Sequence, residues 1–185
     1  CKTILEPMLS EQWFVKMDEM RDLALELMRD ESVPRFSPEI PNKKVYTSWL
    51  ENLKDWTISR QLWWGHQIPA WYDRDGNVFV ARSEAEAKKK AGTEELTQDE
   101  DVLDTWFSSA LWSFSTMGWD GSKDKSGDLA AFHPTNVLVT GRDIIFLWVS
   151  RMVMTSMKFV GEKPFSDVVV TGTVLDKNGQ RMSKT

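Results

Sequence analysis

Asn136-Val137-Leu138-Val139-Thr140-Gly141-Arg142-Asp143-Ile144-Ile145-Phe146-Leu147-Trp148 is the stretch on which the fold turns. Residues 136–140 are β-prone, Gly141 is a turn residue, and 143–159 is apolar over a helical length, with a second β-prone run at 168–171. Strand, helix and strand in that order predict a crossover unit. Such a unit implies a parallel sheet, so the fold class is α/β. In open parallel sheets ligands bind beyond the carboxyl ends of the strands, which puts Gly141 to Asp143 at a binding edge. Glycine there lets a ligand approach the backbone, and the Asp143 carboxylate can accept hydrogen bonds from ribose hydroxyls or an amino group. The plainer reading of Asp143 is a helix N-cap, where Asp is favoured in any case. Ile144 and Trp148 stand four apart and so share a helix face. They can form a wall there, although core packing explains them, and Trp106 upstream, as simply.

Working outward, 12–16 reads as a short strand and 19–29 as an amphipathic helix with Met20, Leu23, Leu27 and Met28 inward. Pro34, Pro38 and Pro41 break the next stretch, after which 43–53 predicts a helix with Val45, Trp49, Leu50 and Leu53 as its apolar line. Residues 68–72 and 78–80 flank the turn-rich Asp73-Arg74-Asp75-Gly76-Asn77, which predicts a hairpin. Ser83 then caps a helix with acids first and bases last. Its Lys88 to Lys90 run is most simply a solvated face, with RNA contact as the alternative. Residues 118–128 read as an exposed loop. Asp101 and Asp104, three apart, could suggest acid-base or metal chemistry, but the electrostatics of a helix start explain them more simply.

With 185 residues, 41% hydrophobic and 28% charged, the composition is that of an ordinary globular domain, except for ten Trp. A net charge of -5 argues against a broad nucleic-acid footprint, so any contact with RNA is local. One Cys excludes an internal disulfide. No apolar run reaches the length of a membrane span or resembles a signal peptide, and the chain reads as cytoplasmic. No fixed-period repeat is present.

Four runs stand in a telling order: 58–72, 101–109, 141–148 and the closing Arg181-Met182-Ser183-Lys184-Thr185. They resemble the motifs of class I aminoacyl-tRNA synthetases for hydrophobic amino acids, from Glu6 to Thr185. Trp63-Trp64-Gly65-His66 and Ile68-Pro69-Ala70-Trp71-Tyr72 resemble the valyl branch more than the isoleucyl or leucyl branches. The resemblance implies the second half of a Rossmann-like parallel-sheet catalytic domain over 16–185, with a hairpin and helix inserted at about 68–97. Residues 1–15 would be the return segment of an absent editing insertion. The implied activity is formation of an adenylate from valine and ATP, with Mg2+, followed by transfer to the tRNA for valine.

By the same resemblance Gly141 and Asp143 contact adenosine, and Arg181, Ser183 and Lys184 handle the phosphates. Lys184 is the catalytic lysine, since an ammonium on a flexible stem can follow charge developing on the phosphates. Trp106, Ile144 and Trp148 wall the pocket for the valine side chain. Arg60, Trp63, Trp64 and His66 lie where the tRNA acceptor end approaches; His66 has no catalytic role, because an ionised carboxylate needs no base. Arg181 and Thr185 depart from the Lys and Ser of the family's KMSKS loop. A family zinc pair would use Cys1, but its counterpart reads Asp73-Arg74-Asp75-Gly76, so no metal site is expected. The family's His-Ile-Gly-His element is absent from these residues and is expected upstream, so the upstream half is needed and the chain alone is expected to be inactive. The alternatives are an isoleucyl-branch fragment and a noncatalytic nucleotide- or RNA-binding module.

Overall fold

The computed structural model describes residues 4–122 and 125–182. In chain order the first elements are β1 (Phe14–Val15), α1 (Asp18–Asp30), β2 (Arg35–Ser37), α2 (Asn42–Glu51), β3 (Trp56–Thr57), β4 (Ser59–Arg60), β5 (Ala70–Tyr72), β6 (Val78–Val80) and α3 (Glu84–Ala91). There follow β7 (Thr97–Gln98), β8 (Val102–Leu103), α4 (Thr105–Ala110), α5 (Trp112–Ser115), α6 (Gly127–Phe132), β9 (Thr135–Gly141), α7 (Ser150–Phe159) and β10 (Phe165–Thr171). The chain divides into two compact units, one of residues 1–15 and 56–105, the other of 16–55 and 106–185.

The second unit holds the expected parallel sheet, in the order β2-β10-β9. β10 runs parallel to both neighbours, with Val168 opposite Leu138 on one side and Phe36 on the other. Strand β9 therefore leads through a helix to a parallel partner beside it, as the crossover reading requires. The sheet is one-sided among the described residues. Phe36, Leu138, Thr140 and Val168 are buried, while Val137, Val139 and Val169 are exposed. The 168–171 run, expected as a buried strand, thus buries only alternate side chains. Across the edge Arg35 holds Asp167 through two hydrogen bonds of 2.8 and 2.7 Å.

Helix α1 turns Met20, Ala24, Leu27 and Met28 inward, together with Leu25. Leu23, expected on that line, is only half-buried, because Ala24 occupies the position one turn after Met20. Helix α2 differs more. Its buried line is Asn42-Tyr46-Leu50, and Val45 faces solvent. Asn42 Nδ2 donates to the Pro38 carbonyl at 2.8 Å, which turns the Asn42 face inward and carries Tyr46 and Leu50 with it. Trp49 stacks on Phe146, centroids 5.2 Å apart at 21°.

The apolar run at 143–159 is not one regular helix. It opens as a 3-10 turn over Arg142–Ile144, passes through a π-helical turn over Ile145–Val149, and becomes α-helical only in α7. The Ile145 amide bonds the Arg142 carbonyl and the Ser150 amide bonds the Ile145 carbonyl, so the hydrogen-bond register changes twice. Hydrophobic periodicity reports burial and cannot see a register change of one residue. In the 118–128 stretch, α6 already begins at Gly127. It belongs to a core of Phe114, Leu129 and Val160, where Trp119 meets Phe114 edge-on at 5.0 Å.

Buried His133 sits beside this core. Ser156 Oγ donates to the Glu162 carbonyl at 2.7 Å, so the 3.0 Å contact with His133 is a donation from Nε2–H, which leaves Nδ1 without a hydrogen bond, 3.9 Å from a Glu162 carboxylate oxygen that opposes but does not outweigh the effect of burial. Burial, assisted by the charge of Lys125, lowers the imidazole pKa to about 4. Between that value and the ordinary value near 6.5 the unfolded chain binds the proton and the folded chain does not. The stability that neutral His133 permits is therefore complete above about pH 6.5 and falls as pH drops towards 4. Lowering pH from 7 to 5 is expected to cost roughly 1–2 kcal/mol at this residue. Urea midpoints at the two pH values check this, and His133→Gln should flatten the dependence.

The first unit is built from small antiparallel pieces: β1 with β3, β4 with β8, and a sheet in the order β6-β5-β7. The expected hairpin is β5 and β6, with Tyr72 opposite Val78. Asp73 closes its turn by accepting the amides of Asp75 and Asn77 at 3.0 and 2.9 Å. Strand β7, which sequence reading missed, is too short to show alternation; it brings Asp99 near, whose carboxylate accepts Trp13 Nε1 and Tyr72 Oη at 2.8 Å each. Ser83 caps α3 by accepting the Glu86 amide, and Gly92 ends it in the left-handed region. Lys88 pairs with Glu84 and Glu94, and Lys90 with Glu86. These lysines are engaged by local acids, in keeping with a solvated face. Among the described residues no helix is long and apolar enough to cross a membrane.

Candidate functional site

The carboxyl ends of β9 and β10 meet where Gly141 lies opposite Thr171. Gly141 has an ordinary extended backbone, so glycine is not needed there for its φ. It is needed for space: a Cβ would lie 2.8 Å from Asp143 Oδ1, because the carboxylate folds back over the glycine. Asp143 lies inside the 3-10 turn, one residue past its start, so it is not the cap of that turn. Its Oδ2 instead accepts Arg181 Nη2 at 2.5 Å.

Arg181 reaches that point on a tight return. Leu175 bridges Arg181 in antiparallel fashion, the Asp176 amide bonds the Gln180 carbonyl, and Asp176 Oδ1 accepts the amides of Asn178 and Gln180 at 2.8 Å each. Two motifs distant in sequence are thereby joined at one sheet edge. The Arg181 hydrogen bond holds the Asp143 carboxyl below its ordinary pKa. The side chains are 51% and 64% exposed, so this pair is screened and exchangeable. A phosphate can compete for the guanidinium, and a hydroxyl or ammonium for the carboxylate. Ser183 and Lys184 lie outside the described residues.

Trp106, Ile144 and Trp148 are all half-buried in the second unit. Trp148 Nε1 donates to the Ser109 carbonyl at 3.2 Å, which fixes it on α4, the helix that carries Trp106. Trp112, missed from sequence, lies 6.0 Å from Trp148 and is 48% exposed. The only cue was its place among ten tryptophans. Ile144 ends the 3-10 turn and Trp148 lies in the π turn, so the argument that they share an α-helical face does not apply.

Arg60, Trp63, Trp64 and His66 belong to the first unit. Trp63 and Trp64 are 107% and 92% exposed. Their loop is pinned by the Leu103 amide on the His66 carbonyl at 2.7 Å, and by Gly65, whose Cβ would lie 2.9 Å from Val102. Arg60 is committed elsewhere: it donates to Asp104 at 2.8 Å and to the Thr57 and Ser59 carbonyls. Asp104, read from sequence as a helix-start charge, is a buried anchor that also accepts Trp56 Nε1 at 3.0 Å, while Asp101 accepts Gln61 Nε2 at 2.8 Å. A groove of about 620 Å³ beside Trp63 is bordered by Glu100 and Asp101. Any nucleic acid here would be held by stacking rather than by a basic wall.

Comparison with known proteins gives the family. The family model for class I tRNA synthetases (I, L, M and V) matches residues 2–185. The chain is 54% identical over 182 residues to the valine--tRNA ligase of Chlorobaculum tepidum, covering 98% of this chain and 20% of that protein. To the valine--tRNA ligase of Fusobacterium nucleatum it is 53% identical, covering 100% of this chain and 21% of that protein. It thus spans about one fifth of the length of these relatives. Among solved structures, Mycobacterium tuberculosis methionyl-tRNA synthetase in complex with methionyl-adenylate matches with a TM-score of 0.59 at 17% identity, over 94% of this chain and 28% of that one. A leucyl synthetase–tRNA complex from Agrobacterium radiobacter gives 0.57 at 17% identity, over 77% and 23% of the two chains. These two likenesses concern the fold, and agree with a Rossmann-like α/β architecture. By a match that runs from residue 2 to residue 185, the chain belongs to the class I tRNA synthetases of the I, L, M and V group.

Proposed function

We propose that the chain is the carboxyl-terminal half of a catalytic domain that activates valine with ATP and transfers it to the tRNA for valine. The observation that carries the site is the Asp143–Arg181 contact, which unites the Gly-x-Asp turn and the phosphate-loop arginine at the carboxyl edge of a parallel sheet. The names of relatives at 53–54% identity support valine over isoleucine.

In this reading the valine carboxylate attacks the α-phosphorus of ATP, supplied as its magnesium complex. A carboxyl oxygen–phosphorus bond forms, the bond between the α-phosphorus and the bridging oxygen breaks, and pyrophosphate leaves with the electron pair. No base is needed, so the protein positions the reactants and neutralises charge. Asp143 takes a ligand hydroxyl or ammonium, Gly141 leaves room beside it, and Arg181, Ser183 and Lys184 follow the phosphates. Trp106, Ile144 and Trp148 shape the side-chain pocket. A ribose hydroxyl of the tRNA end then attacks the carbonyl carbon and AMP leaves; Trp63, Trp64 and His66 offer a face for the acceptor end. Arg60 supports that face from behind through Asp104. A role in translation is compatible with a cytoplasmic location, and in this reading the upstream half of the domain takes part in the reaction.

Gly141→Ala is expected to change stability by under about 1 kcal/mol, because the atom a Cβ would meet is the movable end of Asp143. It should nevertheless raise the KM for ATP in the complete polypeptide about tenfold, by driving the carboxylate off the turn. Aminoacylation tests the function itself: the complete polypeptide should charge tRNA with valine. Charging with isoleucine in preference would favour the isoleucyl reading. A folded protein that binds ATP and charges nothing would favour a binding module.

A further inference from the structure

We infer that Ser150 is a positioning residue, which sets the placement of Asp143, Ile144 and Trp148 by holding the π-helical turn between them and α7. The inference rests on the proposed function for its readout and on geometry for its content. In an α-helix the Ser150 amide would bond the Phe146 carbonyl, four residues back. Here that amide bonds the Ile145 carbonyl, five back. The Ser150 hydroxyl takes the Phe146 carbonyl in its place, at 2.6 Å. Ser150 is fully buried, which keeps its hydroxyl on that carbonyl rather than on bulk water. The Phe146 ring is held from the other side by its stack on Trp49.

The consequence is one of direction. A π turn places one more residue in the turn than an α turn does, so everything on its amino-terminal side is rotated relative to α7. Asp143 and Ile144 lie on that side, and Trp148 lies within the turn with its indole on the Ser109 carbonyl. If the turn relaxed to the α register, Asp143 would leave Arg181 and Trp148 would leave Ser109. Neither Ser150 nor Trp49 touches the Asp143–Arg181 edge in the contacts described above; both act through the backbone of 145–149.

The test uses the complete polypeptide, with amino-acid-dependent ATP–pyrophosphate exchange measured for valine and isoleucine on wild type, Ser150→Ala, Ser150→Thr and Trp49→Leu. Ser150→Ala is expected to raise the KM for valine about tenfold with a smaller change in kcat, and to narrow the valine-to-isoleucine ratio of kcat/KM. Ser150→Thr, which keeps the hydroxyl, should restore most of the ratio, and Trp49→Leu should narrow it in the same sense. A lowered melting temperature with an unchanged ratio in both Ser150→Ala and Trp49→Leu would overturn the inference and leave these residues as packing alone. Wild type without exchange would instead sink the proposed function. In that event crystal structures decide the inference: retention of the π turn in Ser150→Ala would overturn it.

Discussion

Lys184→Ala in the complete polypeptide is expected to lower kcat/KM for valine-dependent ATP–pyrophosphate exchange about 100- to 1,000-fold, the usual consequence of removing one group that meets charge developing in a transition state. The phosphates gain charge as the carboxylate attacks, and an ammonium on a four-carbon stem can move with that charge where a fixed donor cannot. The melting temperature should not change, since a substitution away from core packing and buried networks contributes little to folding. Arg181 offers the contrast. Its guanidinium already has a partner in Asp143, so a phosphate must displace that carboxylate to claim it. Arg181→Ala should therefore cost less than Lys184→Ala. Steady-state exchange on the two variants checks the order, and equal effects would place both cations on the same oxygen atoms.

The second large effect falls on stability. Asp104→Ala is expected to destabilise the protein by about 2–4 kcal/mol, because it removes the acceptor of a buried indole N–H and of a guanidinium. The figure is set below that for a fully buried pair because the Arg60 side chain is 38% exposed and can turn to water. Urea unfolding followed by Trp fluorescence measures it. A loss under about 0.5 kcal/mol would place Asp104 among ordinary surface charges.

Asp104 also shows where sequence reading stops. Read along the chain it is an acid before a helix. Its partners, Trp56 and Arg60, lie more than forty residues upstream, and no local pattern links them. What was legible was what local chemistry dictates: the crossover around Gly141, the Asp73 hairpin, the Ser83 cap, and the order of motifs that marks the family. The inward face of α2 was misread, because Val45 and Tyr46 are adjacent and both apolar enough to face a core; Asn42 and its bond to the Pro38 carbonyl decided between them. The π turn was invisible for a related reason, since Ile145 and Val149 are buried and would be under either register. At the candidate site, the rule for parallel sheets puts Gly141 and Asp143 at the carboxyl edge, where the structure has them, and Arg181 is singled out only by its motif. Their meeting depends on a return turn at 176–180 whose tightness comes from Asp176 hydrogen bonds rather than from any apolar pattern.

In the proposed reading, the polypeptide containing this chain activates valine through the edge formed by Gly141, Asp143 and Arg181. Amino-acid-dependent ATP–pyrophosphate exchange with valine, isoleucine and threonine, run on wild type and Asp143→Ala, tests it most directly. Exchange should be strongest with valine, weaker but measurable with the near-isosteric threonine, and lost in Asp143→Ala. Exchange strongest with isoleucine, or an Asp143→Ala variant as active as wild type, would contradict it.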